Sequence, residues 1–122
     1  TVALERMSRE IRNAYDIDTD IAKSTFVTSP GRLTINTKDD LGANITIEFY
    51  VDSASQLNMK VDGVDNGPLV TKTVTVTNLV FRQITTTYSK AIKIEMTLHD
   101  SRGATTQSSK YYDTIVLRGS IH

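Results

Sequence analysis

Leu4, Met7, Ile11 and Ala14 recur at three- and four-residue steps, so Thr1 to Tyr15 read as an amphipathic helix with one apolar stripe. Beyond it the period changes from 3.6 to 2. Ser24 to Ser29 is β-rich and stops at the turn pair Pro30-Gly31, and Arg32 to Thr37 alternates Leu33 and Ile35 with Thr34 and Asn36. The cleanest alternation is Asn44 to Val51, with Ile45, Ile47, Phe49 and Val51 on one face and Thr46, Glu48 and Tyr50 on the other. Leu57, Met59 and Val61 continue the period into Asp62 to Pro68, a stretch dense in turn residues. Thr71 to Thr77 alternates again, and Asn78-Leu79-Val80-Phe81 breaks the register, which predicts a bulge or corner. Lys90 to Leu98 places Ile92, Ile94, Met96 and Leu98 inward, His99 to Gly103 reads as a hairpin loop, and Tyr111 to Arg118 as a last strand carrying Ile115 and Leu117.

The pattern predicts an α+β fold: an N-terminal helix (1–16) packed on an antiparallel head (24–119) of about seven strands, in one domain spanning 1–122. Half-buried strands need a second layer, and the N-terminal helix is the amphipathic element available to supply it. Burying Leu4, Met7 and Ile11 contributes roughly 1.5–3 kcal/mol per side chain before entropy is counted. The rest of that helix is charged, with Glu5 and Arg9, and Arg6 and Glu10, at i,i+4, and Arg12 nearby. Its start carries no capping box, because Leu4 stands where Glu or Gln is wanted after Thr1. An uncapped start is the expectation for a helix that continues upstream.

Composition narrows the function classes more than it names one. With 39% hydrophobic and 23% charged residues, 6 Gly and 2 Pro, the 122 residues fit an ordinary globular chain and not a collagenous or disordered one. Fourteen basic residues balance fourteen acidic ones, so no nucleic-acid partner is expected. The absence of Cys excludes thiol catalysis and disulfides, and no run reaches the ~20 apolar residues that span a bilayer.

Constellations that carry chemistry are sparse, and neither an enzyme nor a cofactor or metal is expected. His99, Asp100 and Ser101 contain the residue types of a hydrolytic triad, but adjacent residues cannot face one another as its geometry demands. Asp16, Asp18 and Asp20 start like a calcium loop, yet Ile21 and Val27 stand where Gly and Glu are required. Asp62, Asp65 and Asn66 are what tight turns use. Asn44-Ile45-Thr46 is a glycosylation sequon inside a strong strand. Lys72, Arg82, Lys90 and Lys93 read as charges on wet strand faces, Tyr15, Tyr50, Tyr88, Tyr111 and Tyr112 as ordinary β composition, and the terminal His122 as a tag remnant.

Leu4-Glu5-Arg6-Met7-Ser8-Arg9-Glu10-Ile11-Arg12-Asn13-Ala14-Tyr15 resembles the soluble part of the long helix in bacterial prepilin-like proteins, above all minor pseudopilins of type II secretion and type IV pilus subunits. Arg32-Leu33-Thr34-Ile35, Ile47-Glu48-Phe49-Tyr50, Val76 to Phe81 and Thr114 to Gly119 follow in the order of that family's β-rich head. The resemblance implies a non-enzymatic filament subunit of the cell envelope, outside the cytoplasm. Its partners would be other pilin or pseudopilin subunits, and an apolar half-helix absent from this chain would root it in the inner membrane. Under it, Leu4, Met7, Ile11 and Ala14 clamp helix to sheet, and Glu5, Arg6, Arg9 and Arg12 face neighbouring subunits. Loops 62–68 and 99–103 are the expected partner contacts. The alternative is an extracellular ligand- or carbohydrate-binding β module, for which the lack of Trp is a poor sign.

Overall fold

A computed structural model describes residues 2–71, 73–101 and 107–120. It holds one α-helix, α1 (Val2–Asn13), and eight strands: β1 (Asp16–Asp18), β2 (Leu33–Lys38), β3 (Asn44–Val51), β4 (Leu57–Val61), β5 (Val64–Pro68), β6 (Val74–Thr85), β7 (Lys90–Asp100) and β8 (Gln107–Val116). A 3-10 turn, Arg118–Ser120, follows. Strands β1 to β5 form one antiparallel meander and β6 to β8 a second.

The expectation of an α+β, pilin-like fold with a seven-strand head is therefore corrected: the described residues are mostly β, with one short helix and eight strands in two antiparallel sheets of five and three. Period-2 alternation identifies a half-buried strand but not which sheet it joins. Leu33, Ile35, Ile47, Phe49, Leu57 and Met59 of the larger sheet share one buried cluster with Leu79, Phe81, Ile92, Ile94, Met96 and Ile115 of the smaller. Each sheet is thus the second layer for the other, a role the amphipathic pattern assigns to the helix.

Local chemistry sets the turns. Between β2 and β3, Asp39 Oδ1 accepts the N–H groups of Leu41 and Ala43. Asp52 Oδ1 does the same for Ala54 and Gln56 between β3 and β4, while its Oδ2 accepts from Asn58 Nδ2. Asp62 and Gly63, with φ of 50° and 80°, make the two-residue β4–β5 turn, where both central residues need positive φ. Loop 62–68 is consequently a tight turn followed by strand β5, and Pro68 sits in an edge strand, the place a missing N–H is tolerated.

Four other expectations change. Ser24 to Ser29 is not a strand: only Thr25 bridges to Arg32, and Val27 has a φ of 71°. Its β-forming residues serve as a cover for another strand's edge, described below. Asp16 to Asp18, the opening of the calcium-loop-like run, pairs with Thr34 to Asn36 as β1. Strand β6 begins at Val74 and runs on to Thr85, with the register shift between Val76 and Asn78; β8 begins at Gln107, four residues ahead of Tyr111. Thr1, Lys72, Arg102, Gly103 and His122, each part of a reading above, lie outside the described residues.

Candidate functional site

Helix α1 lies with one face on the core. Met7 and Ile11 are fully buried, and Ala14, one residue beyond the helix, is buried with them. Leu4 is only half-buried, packed against the edge of the core; Ala3, 2% exposed, takes the position expected of it. A stripe of small and large apolar residues turned by one position explains the difference, since a helical side chain leans toward the turn before it. Ser8 also lies on the buried face, where its hydroxyl donates to Asp113 Oδ2 of β8 at 3.0 Å.

The chain leaves the helix through a tight set of contacts. Ala14 N–H closes a last turn onto the Ile11 carbonyl, the Thr37 hydroxyl donates to the Asn13 carbonyl at 3.2 Å, and Tyr15 N–H passes to the Asn36 carbonyl of β2. Gly119 N–H donates to the Ala14 carbonyl, and a Cβ at 119 would stand 2.7 Å from Tyr15 Cα. Only glycine allows that approach. Lys90, at the start of β7, forms an ion pair with Asp16 of β1 and so joins the two sheets beside the helix exit. Partial burial pushes the Asp16 carboxyl up, but the Lys90 ammonium and the Ile17 N–H outweigh it and hold the group below its usual range.

On the opposite side, Glu5, Arg9 and Arg12 are exposed and Arg6 is half-exposed. The charge pairing differs from expectation: Arg6 Nε meets Glu10 Oε1 at 3.3 Å, and Arg9 leans to the same oxygen at 3.7 Å and not to Glu5. One carboxylate oxygen thus stands within ion-pair distance of two guanidinium groups without a hydrogen bond to the buried Arg6 Nε, and Arg9 and Arg12 remain exposed. Pairs this exposed contribute little to stability.

The other candidates resolve into turn and strand chemistry. Asp16 is occupied by Lys90, Asp18 Oδ1 accepts Asp20 N–H, and Asp20 Oδ1 accepts Ala22 N–H. Asp62 Oδ1 accepts Thr46 N–H, and Asp65 binds Gly67 N–H and the Tyr50 hydroxyl. The Asp65 carboxylate pushes the Tyr50 phenol up to about 12, Tyr50 holds Asp65 low in return, and Lys60 Nζ stands 4.8 Å from the Tyr50 ring. Asp52 is held low first by its bond from Gln56 N–H. No group of three metal-ligating side chains exists among the described residues.

His99 Nδ1 lies 3.1 Å from Ser108 Oγ while Ser101 Oγ donates to the Thr73 carbonyl, so His99, Asp100 and Ser101 do not form a triad. Asn44 is exposed at the first position of β3. Arg82 and Lys93 are both exposed and directly opposite across β6 and β7. Tyr111 and Tyr112 point to opposite faces of β8, Tyr50 belongs to the other sheet, and Tyr88 to the β6–β7 turn, so the tyrosines make no common platform. Near the start of α1 a cleft of about 400 Å³ opens between the sheets, with Leu69, Val74 and Leu98 beside Asp100, Gln107 and Tyr111.

Comparison with known families, curated proteins and solved structures gives no match. Any functional statement therefore rests on the geometry above. Within it, Met7, Ile11 and Ala14 lie in the buried cluster with Leu4 at its margin, while Glu5, Arg9 and Arg12 are exposed and Arg6 is half-buried. The Ser8–Asp113 bond and the Asp16–Lys90 pair were missed in sequence because each joins residues more than seventy positions apart. No local signal encodes them.

Proposed function

We propose that the chain is the β-rich body of a subunit of an extracytoplasmic filament, a type II secretion pseudopilus or a type IV pilus. The observation that carries this reading is the two-sided fastening of α1. Ala3, Met7, Ser8 and Ile11 hold the helix rigidly on the body, while Glu5, Arg9 and Arg12 stay outside with only Glu10 to share between two of the arginines. A helix fixed in this way can transmit load between a membrane-rooted rod and a head, and its charged side supplies contacts to the next subunit's helix. The body adds shape and not chemistry. In this reading the inner-membrane contact belongs to an apolar half-helix outside this chain; among the described residues no helix is long and apolar enough to cross a membrane.

Because the chain has no cysteine, the test is direct. Glu5→Cys and Arg12→Cys, introduced one at a time into the natural gene, should give bismaleimide adducts with pilin-like subunits in sheared envelope filaments, identified by mass spectrometry. Recovery of the protein apart from any filament, with no adduct at either position, overturns the reading. The cleft beside Tyr111 favours the alternative, a ligand-binding module. Glycan-array binding that is lost in Gln107→Ala would put that reading in place of the first.

A further inference from the structure

Among the described residues, nothing covers the outer edge of the three-stranded sheet, strand β8. Leu117 N–H donates to the Lys90 carbonyl, and the β7–β8 register keeps the same sum throughout. Antiparallel pairs alternate between bonded and non-bonded. Odd-numbered residues of β8 therefore direct their backbone groups at β7, and Ser108, Lys110, Tyr112, Thr114 and Val116 direct theirs outward. Among the described residues, the one hydrogen bond those outward backbone groups make is from Thr114 N–H to the neighbouring Asp113 Oδ1. Helix α1 approaches β8 only from its inner face, through Ser8 and Asp113. The outer face is exposed, Tyr112 at 60% and Val116 at 44%.

We infer that this edge pairs with the same edge of a second copy, β8 against β8 in antiparallel, about a two-fold axis through Tyr112. Tyr112 then faces its own counterpart, Lys110 faces Thr114, and Ser108 faces Val116, so every outward residue joins the ladder once Asp113 releases Thr114. Charge selects this register. An axis at Lys110 sets two lysines against each other, one at Thr114 brings Lys110 opposite Arg118, and one at Asp113 stacks two carboxylates. An axis at Tyr111 opposes no like charges but leaves Val116 without a described partner. At Tyr112 the inner-face pairs are Tyr111 with Asp113 and Ser109 with Ile115, again with no like charges. The product is a continuous six-stranded sheet, an isologous contact that closes on itself.

The chain is tested by sedimentation at about 100 μM, a concentration suited to a contact dominated by one strand pair. Dimers are expected. Tyr112→Pro deletes an outward N–H and none that bonds β7, so it should leave the circular dichroism unchanged and weaken association about tenfold or more. Should that variant misfold, Tyr112→Lys, which opposes two ammonium groups at the axis, must weaken association likewise. Tyr112→Cys should oxidise to an interchain disulfide, since paired Cα atoms about 5.5 Å apart suit the bond, and much faster than Lys93→Cys one strand inward. A monomer at that concentration overturns the inference. So does a dimer indifferent to Tyr112→Pro and Tyr112→Lys, or equal oxidation at positions 112 and 93.

Discussion

Along β6, the outward Val76 N–H meets the Ser55 carbonyl, Leu79 meets Ser29 Oγ and Gly31 N–H, and the Phe81 carbonyl meets Val27 N–H. Along β8, at the other side of the same sheet, the outward groups of Ser108, Lys110, Tyr112 and Val116 meet nothing among the described residues. Both are long edge strands with alternating side chains. They differ in that β6 is covered at Leu79 and Phe81 by segment 25–31, a stretch composed like a strand but with Val27 at positive φ, and at Val76 by Ser55. An exposed row of backbone donors and acceptors invites another chain, and folds usually blunt it. Here one edge is blunted by the protein's own loop, and the other is left available to a second molecule.

The covered edge should be the costlier one to disturb. Phe81 is fully buried beneath the cover, so Phe81→Ala is expected to lose about 3–5 kcal/mol in urea unfolding. Gly31 tests the cover itself: a Cβ there would lie 2.9 Å from the Phe81 ring and 3.1 Å from the Leu79 carbonyl. Gly31→Ala should cost about 1–3 kcal/mol by forcing loop and strand apart. If both substitutions prove neutral, segment 25–31 is not holding β6.

The open edge allows a sharper contrast between adjacent residues. Tyr111→Pro removes an N–H that bonds β7 and leaves a carbonyl there without its donor, for a loss of about 1–3 kcal/mol. Tyr112→Pro, one residue on, removes only an outward N–H and should stay within about 0.5 kcal/mol of wild type in dilute monomeric protein. Equal effects of the two prolines would mean that the bonding phase of β8 is misassigned.

These edges also show what the sequence could disclose. The inward sets Ile47-Phe49 and Ile92-Ile94-Met96 were legible because burial on one face leaves a period-2 trace in the residues themselves. Segment 24–29 misled for the same reason: it packs like a strand and carries strand residues, while its backbone pairs with another edge and not within a sheet. Sheet membership was illegible, since Asp16 to Asp18 offers a single apolar residue, Ile17, and Gln107 to Lys110 none, and both become strands through partners in other segments. The outward charges Glu5, Arg9 and Arg12 followed from the helical period, whereas Ser8 took a buried place only because Asp113 satisfies its hydroxyl.

The smallest expected effect lies where the two sheets are joined by charge. Asp16 is held below its usual range chiefly because Lys90 and the Ile17 N–H prevail over partial burial. A depressed folded-state value means the carboxylate stabilises the fold above its unfolded value, near 3.8, and that this contribution fades as pH falls through the folded value. Asp16→Asn keeps the shape and removes the charge. With both side chains about a third or more exposed, the pair is screened, so the variant should be only about 0.5 kcal/mol less stable at pH 7. The difference should shrink steadily as unfolding is followed from pH 5 downward through the acid range, because wild-type Asp16 loses its charge as well. A gap that persists once the wild-type carboxyl is protonated would show that shape, and not the ion pair, joins β1 to β7. The edges of the smaller sheet would then owe their alignment with the larger sheet to packing alone.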